Sequence, residues 1–162
     1  MRNPFGRHKP PEVAALRVLD GERLSSWALA VQPNIAIGAT DRALYVGPDE
    51  RLAWDDITRA TWEPPVLTLV LDPQGRRTRR LTLPEAGDLP AVVRTFVTDS
   101  VIVSEQVEVA PGAGARLVAR RAGLGGDVRW SVIFDEGLDS RDPALQAAAM
   151  EKLDQLRETL GI

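Results

Sequence analysis

Residues 40–57 read TDRALYVGPDERLAWDDI, and their pattern predicts two short strands joined by a turn. Leu44 and Val46 share one face of the first strand, because alternate residues of a strand point the same way. Leu52 and Trp54 share one face of the second strand. The Gly-Pro-Asp-Glu segment between the strands is typical of a tight turn. The stretch therefore predicts an antiparallel hairpin with one buried face.

The same pattern extends outward from Leu24 to Leu83, where short apolar runs alternate with turn residues. Seven strands are predicted: Leu24–Val31, Ile35–Ala39, Ala43–Val46, Arg51–Trp54, Arg59–Trp62, Leu67–Asp72 and Thr78–Leu83. Connections this short favour antiparallel hairpins, since parallel strands need a crossover of a dozen or more residues. A helix is predicted next, with Asp88 as its N-cap and Pro90 in its first turn. The fold class is therefore α+β: an antiparallel curled sheet, or a partly open barrel, with a capping helix.

A β-β-β-α extension is predicted after residue 98. Its strands are Val101–Val109, with a bulge at Ser104-Glu105, then Arg116–Arg121 and Val128–Phe134. Its helix has strong end signals, with Asp142 as N-cap, Pro143 in the first position and Gly161 past the end. Asp99-Ser100 leaves almost no linker, so residues 99–162 are expected to pack on the domain formed by residues 21–98. Residues 1–20 are predicted to be a tail, disordered over residues 1–10, and a short helix opened by Pro10-Pro11.

The composition of the chain excludes several kinds of chemistry. The 162 residues include no cysteine and one histidine, His8, so neither a Ser-His-Asp triad nor a thiolate or paired-imidazole metal site can be assembled. A formal net charge of −3 argues against a nucleic-acid partner, because such proteins carry a basic excess. No signal peptide and no apolar run of membrane length is recognised, so the expected location is the cytoplasm. Many arginines beside two lysines are typical of a GC-rich bacterial genome.

Thr40-Asp41-Arg42-Ala43-Leu44-Tyr45-Val46, followed by Trp54-Asp55-Asp56-Ile57, resembles the signature of bacterial PH-like and GRAM-like domains, including those of actinobacterial proteins. Gly21-Glu22 before the first strand fits the same signature. The resemblance covers residues 21–98 and implies a PH-like fold there. These domains bind lipids, peptides or proteins, so the resemblance implies architecture more than activity. In physical terms, the Asp55-Asp56 pair is expected to cap a single helical turn and Ile57 to point to the core.

Two kinds of motif suggest chemistry but are better explained by turns. The acidic pairs Asp55-Asp56 and Asp135-Glu136 suit acid/base work or Mg²⁺ binding, but turn and capping roles are favoured. The glycine segments Gly112–Gly114 and Gly123–Gly126 neither precede a helix nor carry the Lys-Ser/Thr of a phosphate loop. The sequence therefore predicts no catalytic residue, no metal site and no cofactor.

The run Arg76-Arg77-Thr78-Arg79-Arg80 is the leading candidate for binding. On a strand, Arg77 and Arg79 project together, and Arg76 and Arg80 fall on the opposite side. A second basic group is formed by Arg116, Arg120, Arg121 and Arg129. Guanidinium groups suit phosphates and carboxylates, so an anionic lipid headgroup or an acidic partner is one interpretation. A solvated hairpin flank is the other.

Trp62 is a further candidate, because Glu63-Pro64-Pro65 follows it and places it near a sheet rim, although core burial competes with a contact role. Three function classes remain. The sequence favours a non-catalytic binding or adaptor module that recognises a protein segment or an anionic headgroup. The alternative is an assembly subunit that homodimerises, or completes a larger complex, through its C-terminal helix or the edge strand Val101–Val109. An enzyme that uses carboxylates and arginines has the least support.

Overall fold

The computed structural model describes residues 8–121, residue 123 and residues 125–162. The chain divides into two compact units, one that ends at Thr98 (unit 1) and one that spans Asp99–Ile162 (unit 2). Most of the predicted disordered tail, residues 1–7, lies outside the described residues, as does Leu124 in the predicted turn from Gly123 to Asp127. The protein is α+β, with three antiparallel sheets.

Unit 1 contains two antiparallel sheets. Its strands are β1 (Leu24–Ala30), β2 (Ile35–Thr40), β3 (Ala43–Val46), β4 (Arg51–Ala53), β5 (Arg59–Glu63), β6 (Val66–Val70) and β7 (Thr78–Thr82). The first sheet has the order β1-β2-β3-β4 and the second the order β5-β6-β7. An isolated bridge between Val31 and Thr82 links the end of β1 to β7, and the described strands do not close into a barrel. The seven predicted strands are present, with ends that differ by one or two residues.

The segment between the two sheets turns at Trp54. The predicted fourth strand ends one residue early, because Trp54–Asp56 form a single 3-10 turn. Ile57 follows this turn and is fully buried, as predicted. The Trp54 indole N–H donates to the carbonyl of Thr40 at 2.9 Å, and the indole stacks on Phe96 with 4.9 Å between ring centroids. The turn therefore fixes a large aromatic side chain inside the core.

Helix α2 (Leu89–Asp99) completes the core of unit 1. The helix buries Leu89, Val93 and Val97 in one apolar cluster that includes side chains of both sheets. The strand residues of that cluster include Ala28, Ile37, Leu44, Val46, Leu52, Leu67, Leu69 and Leu81. Burial of such side chains contributes about 1.5–3 kcal/mol each, so this cluster dominates the stability of unit 1.

The opposite face of the first sheet is also covered, which the sequence pattern did not predict. Helix α1 (Pro11–Ala14) is shorter than predicted, and Leu19 is exposed, but Val13 and Leu16 are buried. They pack in a second apolar cluster with Ala36, Ala43 and Tyr45. A Cβ added at Gly38 would lie 2.8 Å from Leu16 Cδ1 and 2.6 Å from Leu24 Cδ1. Glycine at this position therefore lets the N-terminal segment approach β2 closely.

Unit 2 is a three-stranded meander followed by a helix. Its elements are β8 (Val101–Ala110), β9 (Ala113–Arg120), β10 (Arg129–Phe134) and α3 (Pro143–Leu160). The strand order is β10-β9-β8, so β8 lies at an edge of the sheet. The bulge predicted at Ser104-Glu105 is wrong: the register is continuous there and shifts near Val101 and near Glu108. The irregularities thus fall at the strand ends, where fewer ladder bonds are lost.

Helix α3 has the ends that the sequence predicted. The Asp142 side chain accepts from the N–H of Ala144 at 2.9 Å, Pro143 opens the helix, and Gly161 caps it in the left-handed region with φ 71°. The helix contacts β8 and buries Ala149 and Leu153. Leu160 lies at helical spacing from Ala149 and Leu153, which predicts that it is buried, but it is exposed. Among the helices of the described residues, none has both the length and the apolar character needed to cross a membrane.

Candidate functional site

The arginine run lies at the tip of the β6–β7 hairpin. Three bonds close the turn: Gly75 N–H to the Asp72 carbonyl at 3.2 Å, Arg77 N–H to Asp72 Oδ1 at 2.8 Å, and Leu71 N–H to the Arg77 carbonyl at 2.8 Å. Gly75 adopts φ 74°, a conformation that favours glycine. The turn therefore extends through Arg77, and Arg76 and Arg77 are exposed within it.

β7 begins at Thr78, as predicted, so the predicted alternation of faces does not extend back to Arg76 and Arg77. Arg76 and Arg77 lie in the turn, so Arg77 does not share a strand face with Arg79. Within β7, Arg79 is the register partner of Leu69, a fully buried residue, and Arg80 is the partner of Thr68. Arg79 therefore starts on the core side of the sheet, and Arg80 projects on the outer side.

Arg79 is held by an ion pair. Its Nη1 donates to Glu50 Oε2 at 3.0 Å and lies 2.7 Å from Oε1. Glu50 precedes β4, so the pair connects the second sheet of unit 1 to the β3–β4 turn of the first. Both side chains are a little over one third exposed, so the pair contributes at most about 1 kcal/mol. Its effect is to fix the hairpin in place.

The other three arginines of the run, Arg76, Arg77 and Arg80, are exposed and carry uncompensated charge. Within the described part of the chain, none of the three guanidinium groups forms an ion pair. We call these three side chains the arginine hairpin. The arrangement presents three cationic forks around one turn, which is suited to phosphate or carboxylate oxygens.

The second basic group lies in unit 2, where the Arg116 and Arg120 side chains donate to serine hydroxyls. Arg120 Nη1 donates to Ser100 Oγ at 3.0 Å. Arg121 is half-buried, and its backbone N–H donates to the Ser100 carbonyl at 2.8 Å. Arg116 is exposed and donates to Ser104 Oγ at 3.1 Å. Arg116 and Arg120 thus fasten β9 to the middle of β8 and to Ser100, the residue before β8.

Trp62 lies on β5 and is half-buried. Its register partner is Leu67, which is fully buried, and its ring packs against the main core of unit 1. The exposed residue at this end of the strand is its neighbour Glu63. Of the seven predicted binding residues, Trp62 and the four arginines of the run therefore belong to unit 1, and Arg120 and Arg121 to unit 2.

A charged network that the sequence reasoning missed joins the N-terminal segment to the first sheet. Glu22 pairs with Arg51, accepts from the Tyr45 hydroxyl at 2.6 Å, and accepts from Thr40 Oγ1 at 3.1 Å. The Tyr45 hydroxyl also accepts from Arg51 Nε at 3.2 Å and from the N–H of Leu19 at 3.0 Å. A sequence signal existed, because Tyr45 and Arg51 are direct partners across the predicted hairpin. Sequence pattern alone did not place Glu22 beside them.

The network shifts the titration of both charged groups. Burial of the Glu22 side chain, which is 2% exposed, by itself raises its pKa. Hydrogen bonds from Arg51, Tyr45 and Thr40 lower it by more, so the pKa of Glu22 lies below its ordinary value. Desolvation lowers the pKa of Arg51, but its hydrogen bond to Glu22 outweighs this effect and the net shift is upward. Both groups are charged at neutral pH and fasten the chain together.

The acidic pairs are placed in local structure. Asp55 is buried in the 3-10 turn after β4. Asp135 Oδ1 accepts from Gln106 Nε2 at 3.0 Å and Oδ2 from the N–H of Gly114 at 3.1 Å, which ties the end of β10 to β9. The described residues contain no group of three or more His, Cys, Asp or Glu side chains arranged to hold a metal ion. His8 is exposed.

Comparisons of the chain with protein-family models, with curated proteins and with solved structures gave no match. Function is therefore inferred from the contacts of the chain's own residues. The arginine hairpin presents exposed cationic side chains around a fixed turn.

Proposed function

We propose that the chain is a non-catalytic binding or adaptor module of the bacterial cytoplasm whose unit 1 is a PH-like domain. The order of four antiparallel strands, three antiparallel strands and one helix supports this assignment. The burial of α2 in a core shared by both sheets supports it too. So does the hairpin formed by residues 40–57, on which the resemblance to PH-like domains is based.

The arginine hairpin is the observation that carries the proposal. Arg79 is fixed by Glu50, so the turn beside it is presented in a defined position. Arg76, Arg77 and Arg80 stabilise no neighbouring carboxylate of the described chain and extend into solvent. A site of this kind recognises a phosphate or carboxylate group, on a lipid headgroup or on an acidic protein segment.

The titratable pair with shifted pKa values supports a binding role over catalysis. Perturbed groups at an active site are free to meet a substrate. Here the Glu22 carboxylate is enclosed by Arg51, Tyr45 and Thr40, and its oxygens serve to hold the N-terminal segment on the first sheet. This electrostatic network is thus assigned to structure.

Liposome flotation tests the headgroup version. Vesicles of phosphatidylcholine alone are compared with vesicles that contain phosphatidylserine or a phosphoinositide, at low and at high salt. We expect binding to the anionic vesicles that weakens with salt, because exposed charges are screened. Changing Arg76, Arg77 and Arg80 together to Gln is expected to weaken it by about 100-fold, at about 1 kcal/mol for each arginine.

The matched control changes Arg17, Arg94 and Arg141 to Gln, which removes the same charge from other exposed positions. Equal losses for the two triple variants would indicate a nonspecific charge effect and contradict a hairpin site. The protein-segment version is tested with a photo-crosslinking amino acid in place of Thr78, which is exposed among the arginines. A crosslinked partner that disappears in the hairpin variant but persists in the control supports it. Failure of both assays would overturn the proposal.

An assembly role is the second candidate, and β8 supports it because this strand lies at a sheet edge and exposes Ile102. Glu105 opposes it. Val103, Glu105 and Val107 share one face of β8, so the row of valines is interrupted by a carboxylate. Charged residues within an edge strand hinder pairing with another strand. Self-pairing through β8 is therefore disfavoured.

A further inference from the structure

Helix α3 carries an exposed stripe of a kind that β8 lacks. One exposed large apolar side chain of the described residues, Met150 at 49%, lies on this stripe. Along the helix, Ala147, Met150, Asp154, Arg157 and Gly161 are all exposed and follow one another at alternating spacings of three and four residues. Such residues line one side of a helix.

This stripe is separate from the side that α3 buries. Ala149 and Leu153 are the buried residues of the helix, which contacts β8. At 100° per residue, the stripe centre lies roughly 100° around the helix from them. The stripe is therefore available to a partner while α3 stays packed in its own unit.

The stripe is complementary to itself. When two copies of α3 lie antiparallel with the twofold axis between residues 155 and 156, Asp154 of each copy faces Arg157 of the other. The twofold axis makes two such ion pairs at the centre of the contact. In the described part of the chain, neither Asp154 nor Arg157 forms an ion pair of its own. Both charges are therefore free to make the pair across the axis.

The same arrangement places an apolar side chain against each helix end. Met150 of one copy faces Gly161 of the other. Gly161 has no side chain and caps α3 in the left-handed region, so the Met150 side chain has room against the helix end. Methionine adapts well to such irregular surfaces. The exposed Met150 side chain of each copy is thus covered by the contact.

We infer that the chain forms an antiparallel homodimer through α3, with reciprocal Asp154–Arg157 ion pairs flanked by Met150 against Gly161. An 18-residue helix is about 27 Å long, so a two-helix contact buries less than a standard interface of about 1,600 Å². The inference goes beyond the proposed function, because it uses no residue of the arginine hairpin.

Analytical ultracentrifugation of the full chain, from about 1 µM to about 500 µM, tests the dimer. The expected result is a concentration-dependent rise from the monomer mass of 17.7 kDa to twice that mass. Asp154→Arg alone places like charges opposite each other and is expected to weaken the dimer at least tenfold. Arg157→Asp alone is expected to do the same. The double exchange, Asp154→Arg with Arg157→Asp, is expected to restore it.

The matched control is Lys152→Asp, which makes the same charge change as Arg157→Asp on the opposite side of the helix. It is expected to leave the dimer intact, and circular dichroism verifies that each variant keeps its helix. A strictly monomeric wild-type chain at all concentrations would overturn the inference. So would a dimer that survives both single exchanges, because its interface must then lie elsewhere.

Because the hairpin and α3 share no residue, the two proposals fail separately. A monomeric chain that still binds anionic vesicles would remove the dimer and leave the binding site. A dimer that binds neither vesicles nor a crosslinked segment would remove the binding site and leave the dimer. If both hold, the dimer presents two arginine hairpins, and binding to a surface gains from their linkage.

Discussion

Both units carry a group of arginines on an antiparallel hairpin, and the two groups differ in what their side chains contact. In unit 1, Arg76, Arg77 and Arg80 extend into solvent around a turn that Arg79 holds to Glu50. In unit 2, Arg116 donates to Ser104 of β8 and Arg120 to Ser100, the residue before β8. The same residue type serves as a free surface in one unit and as a strand fastener in the other.

The cores of the two units differ in the size of the side chains that they bury. Unit 1 buries large side chains from two sheets and a helix, with Trp54, Ile37 and Leu44 among those that are almost fully buried. The described residues of unit 2 bury mainly small side chains, such as Ala115, Ala119 and Ala149, around Leu117. Unit 1 thus has the larger apolar core, and the bonds of Arg116 and Arg120 to serine hydroxyls add to the smaller core of unit 2.

The largest expected effect comes from Trp54. Trp54→Ala removes the stack on Phe96 and the bond to Thr40 and is expected to lower the free energy of unfolding by about 4 kcal/mol. Leu117→Ala, the equivalent change in unit 2, is expected to cost about 3 kcal/mol. Hydrogen exchange measured strand by strand is expected to show each loss in its own unit. Equal loss of protection in both units after either change would contradict the description of two separate cores.

Glu22 provides the next largest effect, of about 2 kcal/mol. Glu22→Gln removes a carboxylate that Arg51, Tyr45 and Thr40 all hydrogen-bond. Because the folded pKa of Glu22 is lowered, its contribution is complete above the ordinary glutamate pKa of about 4.3 and is lost as pH falls through the folded value. Urea unfolding should therefore show a gap between wild type and variant that narrows from pH 7 to pH 3.

Glu12→Gln is the control for this change, because Glu12 is an exposed residue of the same N-terminal segment. It is expected to change the unfolding free energy by less than about 0.5 kcal/mol at either pH. A Glu22 variant that differs from wild type by the same amount at pH 3 and pH 7 would contradict the ion-pair explanation.

Two glycine-to-alanine substitutions test how each unit tolerates an added methyl group. Gly38→Ala pushes against Leu16 and Leu24 in an apolar cluster and is expected to cost about 1.5 kcal/mol. Gly114→Ala meets the tips of Asp135 and Gln106 at 2.6 Å, but both side chains can rotate into solvent. A cost below about 1 kcal/mol is expected there. Thermal unfolding of the two variants measures the two losses of stability. A larger loss for Gly114→Ala than for Gly38→Ala would contradict this prediction.

The strands of unit 1 were predictable because alternation and turn residues are local signals. The seven strands, the 3-10 turn at Trp54 with Ile57 buried, and the ends of α3 all follow from residues close in sequence. The errors have longer-range causes. The burial of Val13 and Leu16 depends on Gly38 in a distant strand, and the exposure of Leu160 depends on how far α3 extends past what it packs against. A local sequence pattern contains no information about either of these long-range effects.

The candidate site was predictable by location and only partly by geometry. The arginine run lies on a hairpin, as the sequence predicted, and the turn extends to Arg77 because Asp72 Oδ1 accepts its N–H. Arg76 and Arg77 therefore lie in the turn and do not follow the predicted alternation of strand faces. The Glu22 network was missed since its four members come from different elements, and only the Tyr45–Arg51 pair lies across a predicted hairpin.

The smallest expected effect on stability is at the arginine hairpin itself. Changing Arg76, Arg77 and Arg80 to Gln is expected to alter the unfolding free energy by less than about 0.5 kcal/mol, because none of the three makes an ion pair within the described chain. Arg120→Gln in unit 2 is expected to cost about 1 kcal/mol through its bond to Ser100. Urea unfolding of both variants measures these two changes in unfolding free energy. If the triple variant is the less stable one, the hairpin arginines have a structural role and the contrast between the two groups is wrong.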